Sequence, residues 1–150
     1  MSLGNLMFTK THYPAAIEHL SAAQKVFNSL GFRLPAAQCS EALDNIYLHQ
    51  DNLDSAAAEM KAAHLIFIDL GVQQHVAQST ELLGIICILR GDLTWAEELF
   101  GEAETINRVR DNRSGLALCA HQLGVIRSDQ GRRREAIIQF KSAQLLHEEV

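Results

Sequence analysis

Seven histidines, three cysteines and one run of arginines are the side chains of this 150-residue sequence best suited to chemistry. The histidines, His12, His19, His49, His64, His75, His121 and His147, are scattered. No two stand at i, i+4 with a third ligand nearby, the spacing that sets imidazoles around a metal on one helix face. His12 and His19 could share a helical side, but a helix boundary near Pro14 separates them. They read as surface histidines, and no metal is expected. Cys39, Cys87 and Cys119 are odd in number and lack CxxC spacing, which argues against a disulfide framework. A reducing, cytoplasmic setting is the simplest expectation. Arg132-Arg133-Arg134 is the one basic cluster, at a turn and helix start, the electrostatically poorer end for cations. It reads as a solvated turn or, with Arg108, Arg110 and Arg113 nearby, as a small patch for an acidic partner.

The catalytic signatures are missing. The sequence has no GxxxxGK[ST], GxGxxG, GxSxG or HExxH. No acid, base and nucleophile converge, so the chain is expected not to be an enzyme and to need no cofactor. Lys plus Arg is 13 against 18 for Asp plus Glu, a net charge of −5. That sign disfavours nucleic acid, whose affinity rests on neutralised phosphates, and anionic membranes. The longest apolar run, Leu82 to Leu89, is too short for a bilayer, which needs about 20 residues. No signal peptide is visible. With 47% apolar residues, 21% charged residues and two prolines, the chain is no disordered segment.

What the chain does have is a repeat of 40 residues. Leu3, Leu43, Leu83 and Leu123 form one column; Gly4, Asp44, Gly84 and Gly124 form the next. Ala16, Ala56, Ala96 and Ala136 form a third, and Ala23, Ala63, Ala103 and Ala143 a fourth. Between the alanines lies a large apolar column, Leu20, Met60, Phe100 and Phe140, and after them Val26, Ile66, Ile106 and Leu146. The register never slips. Each repeat reads as two helices, the first near 35–49, 75–90 and 114–129, the second near 14–30, 54–70, 94–108 and 134–148. Asp51-Asn52, Gly91-Asp92 and Gly131-Arg132 mark the turns inside repeats. Gly31 and Gly71 follow helix ends, where glycine takes the left-handed cap conformation. Pro14 belongs to a first turn. No segment alternates as a strand does. The small columns let helices approach closely, and the large residue one turn on fills the space they leave.

These residues resemble the tetratricopeptide repeat family. Its Leu-Gly pair and Ala…Phe…Ala pattern stand here as Leu83-Gly84, Ala96, Phe100, Ala103 and as Leu123-Gly124, Ala136, Phe140, Ala143. Repeat two departs at Asp44 and Met60, and repeat one has Leu3-Gly4 with a truncated first helix. The spacing of 40, against the family's usual 34, resembles the long-helix variety of LGN/Pins-type polarity adaptors, kinesin light chains and Rap-type bacterial peptide sensors. The resemblance implies an all-α, right-handed superhelical solenoid of antiparallel helix pairs. It would be a single domain over 1–150, with repeats near 1–33, 34–73, 74–113 and 114–150. No polar capping helix is seen, so Ile137, Ile138 and Leu145 are expected to be partly exposed. The array continues in a longer parent, or self-association covers its ends, or the chain is a marginal monomer.

Cys39 and Cys119, two repeats apart, are then too distant for a disulfide. Cys87 reads as a buried small hydrophobe, with no base in evidence to activate it. Trp95, alone in its column with Ala15, Ser55 and Glu135, either packs on the convex side or marks a contact.

In this family the first helices line a concave groove. The implied groove columns are Met1, Glu41, Glu81 and His121; Asn5, Asn45, Ile85 and Val125; Phe8, Leu48, Ile88 and Ser128; and Gln38, Gln78 and Leu118. An asparagine after Leu-Gly often bonds an extended peptide in long-period relatives, and an amide both donates and accepts. Only Asn5 and Asn45 keep it, so the groove is polar at one end and apolar at the other. That suits an amphipathic peptide or helix. The carboxylate clamp of chaperone-tail binders maps onto Met1, Asn5, Ala42, Gln78 and Leu82; only Asn5 matches and every cation is absent. Such a clamp would not offset the desolvation of a carboxylate. The expected function is therefore protein–protein interaction with a protein or peptide partner. The sites are Asn5, Glu41, Asn45, Leu48, Glu81, Ile85, Ile88, His121 and Val125. The alternative is a regulatory sensor segment whose ligand alters superhelix curvature.

Overall fold

The structure, a computed structural model, describes residues 12–148. Those residues form α-helices joined by short turns. In chain order they are α1 (Tyr13–Ser29), α2 (Arg33–His49), α3 (Leu53–Leu70), α4 (Gln73–Leu89), α5 (Leu93–Val109), α6 (Arg113–Asp129) and α7 (Arg133–Glu148). The expected helices match these within about two residues at each end. The expected first helix of repeat one, with Leu3-Gly4, Asn5 and Phe8, lies outside the described residues.

One turn design joins the helices. The first or second residue after each of the first six helices is left-handed: Gly31, Asp51, Gly71, Gly91, Asp111 and Gly131 all have positive φ. The next N–H then reaches back five residues to a carbonyl, as from Phe32 to Phe27, Asn52 to Tyr47, Asp92 to Cys87 and Asn112 to Asn107, at 2.8–2.9 Å. These bonds satisfy carbonyls that the helix end would otherwise orphan. On the other side of the turn, Asn52, Asp92 and Asn112 cap the following helices by accepting from Ser55, Trp95 and Gly115 N–H. Within each unit, a reversal this tight makes successive helices antiparallel.

The chain forms two compact units, divided between Val72 and Gln73. In the first, α2 packs against both α1 and α3. Tyr13, Ala16 and Ile46 make one buried cluster, and Leu43, Met60, Ala56 and Ala63 are closed to solvent. In the second, α4 packs on α5, α5 on α6 and α6 on α7. Its core is Ala96, Phe100, Ala103, Cys119, Leu123 and Ile126, with Ile85, Ile88 and Leu93 against it.

The small columns do what their sizes dictate. A Cβ on Gly84 would lie 2.6 Å from the Phe100 ring, and one on Gly124 would lie 2.7 Å from the Phe140 ring. Glycine is therefore required where the ring of the next helix crosses. Trp95 is 60% exposed, and α7 exposes Ile137, Ile138 and Leu145 as the sequence suggests.

Candidate functional site

The second unit holds a cleft of about 220 Å³ between α4 and α6, floored by the end of α5. Gln74, Ala77, Gln78 and Glu81 line one wall. Ser114, Gly115 and Leu118 line the other, with Asn107, Arg110 and Asn112 at the closed end. Of the groove columns read from the sequence, it gathers Gln78, Glu81 and Leu118.

Glu81 is the chemical centre of this cleft. It is only 9% exposed. Its Oε1 accepts from Asn107 Nδ2 at 2.9 Å and lies 3.9 Å from the Cys119 thiol. Asn107 is closed to solvent and is held in turn, its Oδ1 accepting from Asn112 Nδ2 at 3.4 Å. Asn112 is itself fixed as the cap of α6, accepting from Gly115 N–H at 3.1 Å. Gly115 makes the arrangement fit, because a Cβ there would lie 2.5 Å from the Asn107 side chain. The chain of support runs from turn to cap to amide to carboxylate, which fixes the carboxylate before any ligand arrives.

Burial pushes the Glu81 carboxyl above its ordinary range. The bonds from Asn107 and Cys119 and the charge of Arg110 pull the other way. The Cys119 thiol is pushed up to about 12, first by burial and then by the Glu81 charge. It is a neutral thiol at physiological pH, a weak donor and no nucleophile. Burial also raises the Cys39 thiol.

The remaining expected site residues are distributed. On α2, Glu41 and Leu48 are half-buried and Asn45 is exposed. The backbone carbonyl of Asn45 contacts His49 Nδ1 at 2.7 Å, and the His49 ring lies against Tyr13. Ile85 and Ile88 pack onto the core of the second unit, so only part of each meets solvent. Cys87, expected buried, is half-buried beside them. Val125 is half-buried on α6, and the exposed His121 ring lies tilted 5.6 Å from Phe140. Asn5 lies outside the described residues. The arginine cluster is partly spent: Arg132 pairs with Glu97 at 3.2 Å and also with Glu135. Among the described residues, no group of three or more His, Cys, Asp or Glu side chains could hold a metal, and no helix is long and apolar enough to cross a membrane.

Asn107, Asn112 and Gly115 were not foreseen as site residues. A signal existed for the first: its column reads Phe27, Phe67, Asn107, His147, so polar side chains replace the phenylalanines of the first two repeats.

No protein-family model matches this sequence, and no curated protein matches it. Solved structures do. A crystal structure of MamA protein superimposes with a TM-score of 0.61 at 20% identity, covering 93% of this chain and 77% of that one. A second MamA crystal structure gives a TM-score of 0.46 at 18% identity, covering 99% of this chain and 96% of that one. The first likeness shows a shared helical-repeat fold of the tetratricopeptide kind.

Proposed function

We propose that this chain is a protein-interaction module, and that the α4–α6 cleft receives an extended segment of its partner. The fold supports the general reading, since repeat arrays of this kind present side chains from successive helices in a fixed order. The observation that carries the finer reading is Glu81. A carboxylate this buried, braced by a dedicated amide, is an expensive feature for a surface that binds nothing. The amides of Gln74 and Gln78 add donors and acceptors that match a peptide backbone, and Leu118 adds an apolar contact. The α2 face, with Glu41, Asn45 and Leu48, is a second candidate surface in the first unit.

Selection from a displayed peptide library tests the reading. Gln78 and Leu118 are exposed, so Gln78→Arg/Leu118→Asp alters the cleft while leaving the core intact. Peptides enriched on the wild type and lost on the double variant, with both helical by circular dichroism, are expected. Peptides retained equally by both would remove the cleft from the reading and leave the α2 face to be tested with Asn45→Asp.

A further inference from the structure

We propose that the α4–α6 cleft recognises a primary ammonium at Glu81, with Arg110 at its rim holding a carboxylate carried by the same ligand. The inference rests on the cleft being a binding site and specifies its chemistry.

An ammonium needs three acceptors. Both contacts of Glu81 with its neighbours fall on Oε1; among the described residues no hydrogen bond reaches Oε2. Gln78 and Ser114 line the same cleft, and a carboxamide oxygen and a hydroxyl are acceptors of the kind the ammonium still needs. Asn107, a donor, is turned toward Glu81, and Asn112 and Gly115 keep it there. A buried carboxylate with a neutral donor on one oxygen is still short of a counter-charge, and a cation entering the cleft provides it. The volume, about 220 Å³, admits a group of amino-acid size but no folded element.

Arg110 sets the second requirement. It is exposed, lines the cleft, and acts on Glu81 through its charge; no ion pair joins the two among the described residues. A bare cation would meet that guanidinium as a like charge. A ligand bearing a carboxylate beside its ammonium turns the same guanidinium into a partner, by the fork that suits carboxylates. Two sources share this chemistry: a free α-amino acid, and a peptide lysine next to an aspartate or glutamate.

Amide spectra of the folded chain decide between them. Four probes are titrated: glycine, the blocked peptide acetyl-Gly-Lys-Asp-Gly-amide, butylammonium and acetate. Saturable shifts at Gln78, Ser114, Gly115 and Leu118 with glycine or the peptide, and much weaker ones with butylammonium or acetate, support the proposal. Whichever of the first two binds names the source. Glu81→Gln, which keeps the acceptor for Asn107 but loses the charge, should weaken that binding by about 10-fold or more. Arg110→Gln should weaken it less and narrow the gap to butylammonium. No saturable shift with glycine or the peptide, or equal binding by Glu81→Gln, overturns the proposal. Peptides selected on the wild type and lost on Gln78→Arg/Leu118→Asp would then still stand for the cleft as a binding surface, with a different ligand chemistry.

Discussion

The two units solve one packing problem in different ways. In the second unit, glycine faces phenylalanine twice, Gly84 with Phe100 and Gly124 with Phe140, and neither glycine could gain a Cβ without meeting the ring. At the same register in the first unit stand Asp44 and Met60, both closed to solvent. An unbranched thioether can bend away from a side chain that a flat ring would strike. The departure at Asp44 therefore goes with the departure at Met60. The exchange carries a cost that the second unit avoids. Asp44 Oδ1 is buried and has no hydrogen-bond partner, and Glu41 and Glu59 face it with charge of the same sign. Above them Gln24 bridges Ser40 Oγ at 2.5 Å and Glu59 at 3.4 Å.

Transplanting one pair into the other unit is the severest test. Gly84→Asp puts a carboxylate against Phe100, adding overpacking of about 1–3 kcal/mol to the cost of a buried, unpaired charge. The sum, about 4 kcal/mol or more, is comparable to the whole stability of a small domain, so the variant should not fold at neutral pH. Gly84→Asp/Phe100→Met restores the first-unit pair. It should recover part of the loss, with a coupling of about 0.5–3 kcal/mol in a denaturant cycle. Additive losses would show that Asp44 and Met60 departed from the pattern independently.

Acidity gives the next largest effect, greatest at Asp44 in the first unit, where no hydrogen bond offsets burial as Asn107 does for Glu81 in the second. Burial, aided by the charges of Glu41 and Glu59, raises the Asp44 carboxyl from 3.8 to about 7. A raised acid releases its proton later in the folded state than in the unfolded one. Below about pH 4 both states hold the proton, and folding suffers no penalty. Between about 4 and 7 the unfolded chain ionises first, so stability falls as pH rises. Above 7 the loss is complete, of the order of a few kcal/mol. Asp44→Asn should flatten this slope and melt at a higher temperature than the wild type at pH 8. A slope unchanged in Asp44→Asn would assign it to other groups and remove acidity as a difference between the units.

The difference was half legible in the sequence. Asp44 and Met60 stand out because they interrupt columns of glycine and large apolar residues, and a column is a statement about size. The alanine columns, the turns and the helix limits were legible for the same reason: small residues mark crossings, and Asn or Asp before a helix marks its start. What the columns do not encode is which polar side chains meet across three helices. Glu81 could be placed on a face, but its brace comes from the end of α5, 26 residues on. Gly115 lies in a column with Pro35 and His75, where no size pattern announces that it makes room for Asn107. The Phe140 contact of His121 likewise depends on the next helix, α7.

Gly115→Ala probes that hidden brace. Its Cβ would lie 2.5 Å from Asn107, a closed-off side chain with little room to give. A loss of about 1–3 kcal/mol is expected in urea unfolding. Glu81 should ionise at a higher pH once Asn107 is displaced, because a bond to its charged form is lost. An unchanged carboxyl titration, read by carbon shifts at Glu81, would show that Asn107 packs there without steering the carboxylate.

The smallest expected effects are at the helix caps, where the two units are most alike. Asn52 accepts from Ser55 N–H at 3.3 Å, and Asn112 from Gly115 N–H at 3.1 Å. Either change to alanine removes one cap, worth about 1 kcal/mol. The stability cost alone therefore does not separate them. The readout that does is the cleft, since only Asn112 also bonds the amide that holds Glu81. Asn112→Ala should move the Glu81 carboxyl resonance, while Asn52→Ala leaves it in place and shifts only signals of α3 and its turn. If both variants leave Glu81 untouched, Asn107 is held by packing against Gly115 and the cap is a cap alone, alike in both units.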